Sequence, residues 1–570
     1  ENGGRIEGEA LEAAGRLLKG GKIVALKGLG GFHLAADARN EAAVRELRAR
    51  KGRVAKPFAV MVRDLAEAER LGELGDLARA LLLSPERPIV LVKRRENGPV
   101  SPLVAPGNRY VGLMLPYTPL HLLLFEYAPP ALVMTSGNLS EEPLVFTNAG
   151  AGTRLKALAD ALLLHNREIQ VPCDDSVVRP LAGGTVIPIR RARGLVPRPV
   201  SLPLETSPIL GVGAEQKNTF CLAWGRTAVL SQHIGDLDTA ETFDYYRYAI
   251  RHFAGLCRQE PRVVAHDLHP QYLSTRYARE QEGVRLIGVQ HHHAHIAACL
   301  AENGRTDRCI GVALDGTGYG PDGTIWGGEI LVADLEDYTR AGHLAPVRLP
   351  GGDAAVRRPA RMAAAYLRAA YGDDYGEVAE GLGLTFDSLE ESVLQRQLAS
   401  GLNSPLTSSA GRLCDAVAAA LGVCRERTYE GQPAVELEMA AAPEEEGFYP
   451  VPLPSQGETL VLDTPALFKE VVEDYRRGAG VPEVAARFHN SLARLLAAAC
   501  KTVRERTGLN LAALSGGVFQ NPLIFTKLRR GLEDLGFEVL YHTQVPPNDG
   551  GLSLGQVAVA AARLLKENER

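Results

Sequence analysis

Across 570 residues no two cysteines are spaced C-x-x-C. The eight present are Cys173, Cys221, Cys257, Cys299, Cys309, Cys414, Cys424 and Cys500. That scatter excludes a dithiol redox motif and a zinc ribbon, and reads as reduced, buried thiols in a cytoplasmic protein. No apolar run is long enough to span a bilayer, so no membrane partner is expected. The first residues, Glu1-Asn2-Gly3-Gly4-Arg5, lack the pattern of a signal peptide. They open on Glu, as a fragment or a processed form would. No strong charge of one sign is present. A net charge of −5 speaks against a general nucleic-acid binder and leaves room only for a local basic groove. No G-x-x-x-x-G-K-[ST] occurs, which removes a P-loop, and no dinucleotide-binding G-x-G-x-x-G is expected. Short-period repeats and low-complexity tracts are absent as well.

What is present is ordinary for a soluble globular protein, with 45% hydrophobic and 23% charged residues. A single core stops growing at about 250–300 residues, so at least two domains are expected. The first 200 residues alternate helical and strand patterns, which predicts an α/β domain. Residues 9–19 read as a helix stopped by Gly20-Gly21, and 41–50 as a charged helix. Lys22–Leu26, Phe58–Val62, Pro88–Val92 and Ala131–Met134 read as strands. Pro197, Pro199, Pro203 and Pro208 give residues 194–208 the composition of a stiff linker. A second, two-lobed α/β domain is expected from 206 to 570, after a first of 1–200.

Three apolar strands in the second domain run into glycine turns: Gly211-Val212-Gly213-Ala214-Glu215-Gln216-Lys217-Asn218, Asp315-Gly316-Thr317-Gly318, and Ser515-Gly516-Gly517-Val518-Phe519-Gln520-Asn521. Glycine lets backbone N–H groups approach a phosphate closely. Each turn alone would be ordinary; three in one domain point to a nucleotide cleft. The sharpest local signal is His291-His292-His293-Ala294-His295, four of the chain's 14 histidines, opening an Ala-rich helical stretch. On a helix His291 and His295 share a face, and paired imidazoles suit zinc, iron or nickel. Asp315, and Asp549 in Asn548-Asp549-Gly550-Gly551, would complete a mixed N/O site open to a substrate oxygen. Sequence spacing leaves open whether the four meet, and each Asp alone also reads as a cap or turn residue.

In the first domain Arg45, Arg48, Arg50, Lys51, Arg53 and Lys56 fall close together. Such a run is usually a solvated helix face. Here the charges continue to the mouth of a strand, where cations suit a triphosphate. Thr135-Ser136-Gly137-Asn138 ends another apolar strand and supplies polar groups for phosphate and ribose, or a simple turn.

Lys51-x-Arg53, Lys56-Pro57 and Ser136-x-Asn138 resemble the nucleotide site of the YrdC/Sua fold. His291-x-x-x-His295, Asp315-Gly316-Thr317-Gly318, Ser515–Asn521 and Asn548–Gly551 resemble the actin-like (ASKHA) metal- and nucleotide-binding domain of the tRNA threonylcarbamoyl transferase. Both domains in this order resemble the HypF family of hydrogenase-maturation carbamoyltransferases, from about residue 8 to 565. Lys27-Gly28-Leu29-Gly30-Gly31-Phe32-His33-Leu34 and Tyr429-Glu430-Gly431-Gln432-Pro433-Ala434 are similar to signatures of that family.

The resemblance implies an ATP- and Mg2+-dependent ligase-like first step. Carbamate, made from carbamoyl phosphate or from bicarbonate and ammonia, would become carbamoyl-adenylate at Lys51, Arg53, Lys56, Ser136 and Asn138. It also implies transfer of the carbamoyl group to the C-terminal cysteine of HypE. One transition metal, iron ahead of zinc, would sit on His291, His295, Asp315 and Asp549. Nucleotide contacts are implied at Lys27, His33, Gly213, Lys217, Asn218, Gly316, Gly318, Asp415, Glu430, Gly516, Gly517 and Asn521. Family members begin with an acylphosphatase domain and a C-x-x-C segment that this sequence lacks, so the carbamate-releasing step is expected elsewhere. Two neighbouring families fit less well. Threonylcarbamoyl enzymes carry a Pro-Thr-Asp-Thr-like segment where Lys27 to Gly30 stands, and antibiotic O-carbamoyltransferases place the actin-like domain first.

Overall fold

The structure is a computed structural model describing residue 4 and residues 8–139, 142–452 and 457–569. Apart from Gly4, the expected leaderless opening lies outside the described residues. The chain divides into two compact units. The first runs to Pro199 and also takes in Glu215–Thr219 and Val229–Gln259. The second holds Val200–Ala214, Phe220–Ala228 and the chain from Glu260 onward. The first unit's main stretch ends at Pro199, and two later segments pack with it.

The first unit is built on nine strands. They are β1 (Val24–Lys27), β2 (Phe32–Asp37), β3 (Ala59–Val62), β4 (Ile89–Lys93), β5 (Tyr110–Met114), β6 (Ala131–Ser136), β7 (Ala161–Leu163), β8 (Val177–Pro180) and β9 (Val186–Arg190). They lie in the order β7-β1-β2-β6-β3-β5-β4-β8-β9, with parallel and antiparallel neighbours mixed. Successive residues alternate between two cores. Ala25, Leu34 and Val133 enter one, while Val24, Leu26 and Leu132 enter the other. Both faces are covered, which is why these strands read as unbroken apolar runs. The helix Glu41–Lys51 is capped by the Asn40 side chain, which accepts from Ala43 N–H, and stops at Gly52 in the left-handed region. Its last residue is Lys51. The β2–β6 register sets His33 opposite Ser136.

The second unit has two lobes of repeated design. In one, β10 (Val200–Gly211) forms a hairpin with β11 (Cys221–Leu230). Parallel β12 (Val263–Asp267) and β13 (Arg285–Val289) follow beside β10. In the other, β14 (Cys309–Tyr319) forms a hairpin with β15 (Ile325–Ala333). That sheet is extended by β16 (Tyr338–Leu344), β17 (Val347–Arg348), β18 (Leu406–Thr407) and β19 (Leu460–Leu462). Parallel β20 (Leu511–Ser515) and β21 (Glu538–Leu540) run beside β14. The helix His291–Glu302 follows β13, and the final helix Leu552–Glu569 packs on it.

Two local readings change. The proline-rich stretch is not a linker throughout: Val200–Gly211 is a strand. Pro203 and Pro208 have no N–H to give, and each falls where the β10–β11 register shifts. Gly318-Tyr319-Gly320-Pro321-Asp322-Gly323 spells G-x-G-x-x-G, yet it joins antiparallel β14 and β15, so no helix N-terminus stands behind it.

Candidate metal centre and nucleotide pocket

Gln290 caps the histidine helix, its side-chain oxygen accepting from His293 N–H, and all twelve helical residues are buried. His291 and His295 fall one turn apart on one face. Asp315 sits inside β14 at a break in its pairing with β15, and Asp549 opens a short 3-10 turn before the final helix. One ligand atom from each of these four residues lies within 4.8 Å of the others. His295 Nε2 is 3.0 Å from Asp315 Oδ2 and 3.5 Å from Asp549 Oδ1; His291 Nε2 is 3.4 and 3.6 Å from the same atoms. Burial alone would neutralise such groups, but they hold one another charged. It opposes protonation of His291, which Asp267 and Asp549 nevertheless raise well above the usual imidazole range. It likewise opposes ionisation of Asp315, which the two imidazoles hold well below the carboxylate range. Two imidazole nitrogens and two carboxylate oxygens converging in a buried space fit a divalent transition cation, which would displace the shared protons.

The groups behind the ligands are fixed as well. His291 Nδ1 is 2.8 Å from Asp267 Oδ2, at the end of β12. Asp315 Oδ1 accepts from Gly316 N–H at 2.8 Å and from Gly517 N–H at 3.3 Å. A Cβ on Gly318 would meet His292 Cε1 at 2.4 Å, so only glycine lets β14 pass over the imidazoles. Gly516 has φ +106 and would place a Cβ 2.2 Å from Leu314 O. His292 and His293 turn elsewhere; His293 Nε2 meets Asp334 O at 2.8 Å.

Several expected nucleotide residues have other duties. Gly213 exchanges both backbone hydrogen bonds with the Gln556 amide, at 2.7 and 3.0 Å. Asn521 caps the helix Pro522–Asp534 by accepting from Leu523 and Ile524 N–H, while its amide nitrogen reaches His489. Asp415 is buried and paired with Arg412 at 2.8 Å, and Glu430 is exposed. Arg427 interacts with both carboxylates.

Lys217 and Asn218 belong to the first unit, not to the second domain's cleft. There Lys217, Lys56 and Arg190 surround His233, whose imidazole is pushed far below its usual range by burial and then by those cations. His233 lines a cavity of about 350 Å³ with Ser136, Asn138, Arg154, Asp174, Asp236 and Glu241. Lys51 stands behind that wall. Only 3% exposed, its Nζ donates to Ser136 O at 2.6 Å, Asn138 O at 2.7 Å and Asn138 Oδ1 at 2.9 Å. Burial, and next the neighbouring Arg53, push its pKa down to about 7. Arg53 lies over Phe58 and donates to Thr135 Oγ1 at 3.0 Å. Lys27 Nζ donates to His165 O. His33 Nε2 meets Asp175 Oδ2 at 3.1 Å, and Arg193 Nε donates to Asp175 Oδ1 at 2.7 Å.

Three comparisons bear on this arrangement. The family model described as "HypF Kae1-like domain" matches residues 204–302, and "Carbamoyltransferase, Kae1-like Domain, second subdomain" matches 311–556. The Sua5/YciO/YrdC family, described as "Telomere recombination", matches 16–192. Carbamoyltransferase HypF2 of Cupriavidus necator is 44% identical over 96% of this chain and 72% of its own length. Carbamoyltransferase HypF of Rhodobacter capsulatus is 44% identical over 99% of this chain and 74% of its own. The chain belongs to the HypF family.

Full-length HypF, solved in a phosphate- and nucleotide-bound form, superposes with a TM-score of 0.94 at 42% identity, covering 98% of this chain and 87% of that one. HypF of T. kodakarensis gives 0.93 at 38% identity, covering 99% and 74%. The HypF family members are carbamoyltransferases, and the α/β fold is a YrdC-like domain followed by a Kae1-like, actin-like one. No helix among the described residues is long and apolar enough to cross a membrane.

Sequence reasoning passed over Asp267, although Val263-Val264-Ala265-His266-Asp267 follows the same pattern as the strand ending in Asp315: an apolar run closed by Asp. Asp175, Arg193 and His121 carried no motif. His121 is fully buried beside Tyr117 and His33, and burial pushes it down to about 3.

Proposed function

We propose that the chain activates carbamate with ATP in the first unit and transfers the carbamoyl group, in the second, to the C-terminal cysteine of HypE. This would serve cyanide-ligand synthesis for [NiFe]-hydrogenase. The observation that carries the reading is the convergence of His291, His295, Asp315 and Asp549 within 4.8 Å in a member of a carbamoyltransferase family.

In the first unit Lys51 shapes the Ser136–Asn138 loop, and Lys56, Lys217 and Arg190 add positive charge at the His233 side of the cavity. That side suits the triphosphate of Mg-ATP, and the carboxylates of Asp174, Asp236 and Glu241 suit the Mg2+ that travels with it. Carbamate oxygen attacks the α-phosphorus and pyrophosphate leaves, so positioning and charge neutralisation supply most of the catalysis. His33 Nδ1 and both His121 nitrogens have no hydrogen-bond partner among the described residues. Neutral His121 has one bare nitrogen and one N–H, and the amino group of carbamate would give the bare nitrogens here donors that bicarbonate has in smaller number.

In the second unit His291, His295, Asp315 and Asp549 would hold iron or zinc, which when bound supplies a Lewis acid for the carbamoyl oxygen. Gly316 and Gly517 hold Asp315 in place beside the adenylate. The acceptor thiolate comes from the partner, and this chain's cysteines stay out of the chemistry. Burial pushes Cys173 and Cys414 up to about 12 and raises Cys299 well above the usual thiol range.

The test is incubation with ATP, carbamoyl phosphate or a bicarbonate–ammonia mixture, and a HypE C-terminal peptide, followed by mass spectrometry. One carbamoyl increment on the cysteine is expected. An increment on a sugar hydroxyl instead would make the chain a small-molecule O-carbamoyltransferase, and modification of tRNA would make it a nucleic-acid enzyme.

A further inference from the structure

Asp267 fixes His291 by direct contact, but among the described residues no carboxylate touches the far side of His295. Its Nδ1 lies 3.4 Å from Ser515 Oγ, at the end of β20. Ser515 Oγ is 2.8 Å from His542 Nε2, and His542 Nδ1 is 3.1 Å from Glu302 Oε2. Glu302 is the last residue of the histidine helix, so the chain of contacts leaves the helix at one end and returns at the other. Ser515 is wholly buried, His542 is 3% exposed and Glu302 is 7% exposed.

The Glu302 carboxylate polarises this row. Oε1 accepts from Thr543 N–H at 2.6 Å, and Oε2 accepts from Val545 N–H at 3.0 Å. With N–H donors on both oxygens Glu302 is an acceptor, so the contact to His542 requires a proton on Nδ1. In the neutral ring Nε2 then carries a lone pair, and the Ser515 hydroxyl must donate to it. Its oxygen is left to accept from His295 Nδ1–H. With Nδ1–H held by Ser515, Nε2 is the nitrogen from which a cation would displace the proton shared with Asp315 and Asp549.

We infer that Ser515, His542 and Glu302 are positioning residues that set the tautomer of His295 and aim its Nε2 lone pair at the cation. The inference rests on reading the four-residue cluster as a metal centre. The two imidazole ligands are thus each backed by a carboxylate, one directly through Asp267 and the other across a serine and a second histidine. Ser515 acquires a role that the glycine turn beside it does not explain.

Cobalt(II) titration of the full chain, read by its visible absorption bands, tests this. Ser515→Ala and His542→Phe should each weaken Co2+ binding roughly 10–100-fold, the usual cost of losing an outer-sphere partner, and shift the bands. His542→Gln, whose amide oxygen can accept from Ser515, should recover most of the affinity. The metal-free melting temperature of each variant shows whether it has folded, and either of Ser515→Ala and His542→Phe suffices if the other has not. Wild-type affinity and bands in a folded Ser515→Ala or His542→Phe, with binding lost in His295→Ala, would overturn the positioning role and leave the metal centre standing. Undiminished binding in His295→Ala would remove the metal reading itself.

Discussion

The two sites solve opposite electrostatic problems. In the second unit acids and imidazoles face one another around a shared point, and only the protons between them balance the charge. In the first, Lys51 is already committed to three oxygens of its own loop, and the cations around His233 come from segments far apart in sequence. One arrangement suits an incoming cation. The other uses a buried cation as scaffold and sets apart a group of charges that suits an incoming anion. A cluster of charged residues in a sequence therefore says little until it is known which way each head group turns.

The largest expected effect comes from His295→Ala. Elemental analysis should find the metal lost, and transfer to the HypE peptide should stop. Carbamate-dependent ATP–pyrophosphate exchange should continue. Equal loss of both activities would erase the division between the sites. Lys51→Ala is the mirror image: exchange should collapse while metal content holds.

Lys51 also gives the comparison a pH signature. Its pKa falls from 10.5 to about 7 on folding, so between those values the unfolded chain binds the extra proton. Stability contributed at this position should therefore rise with pH across that window and be lowest below about pH 7. Melting temperatures of wild type minus Lys51→Met, measured from pH 6 to pH 10, should climb; a flat difference would mean that the amine is solvated. Next in size is Gly516→Ala, which forces a φ of +106 on a residue with a side chain against Leu314 O. A loss of about 1–3 kcal/mol in denaturant melts is expected. The smallest effect belongs to Cys173→Ser, which should leave transfer rates unchanged, since no thiol of this chain is placed as a nucleophile.

The four-residue cluster was legible in part because its chemistry is carried by residue type and helical spacing. Two imidazoles at i and i+4 stood out, whereas each aspartate also read as a cap or turn residue and joined them only in the fold. The α/β layout was legible from apolar runs such as Ile89–Val92 and Ala131–Met134, whose both-faced burial follows from alternation between two cores. The remainder was hidden where sequence and space part company. Asn521 reads as a ligand beside Gly516-Gly517, but the helix it begins takes its oxygen. Gly213 reads as a phosphate turn, but Gln556, more than three hundred residues away, occupies both its polar groups. Lys217 follows a strand of the second unit and yet joins the first. Proline content marked residues 194–208 as linker because composition is blind to register shifts that absorb a missing N–H.

The return of Glu215–Thr219 and Val229–Gln259 to the first unit has a practical corollary. A polypeptide stopped at residue 200 would be missing the wall that His233, Asp236, Glu241 and Tyr245 give the cavity. Neither half can be excised by a single cut, so gene splitting at the apparent junction should yield a first half with a breached chamber. The two units are woven into one thread, and their separate evolution would first require unpicking it.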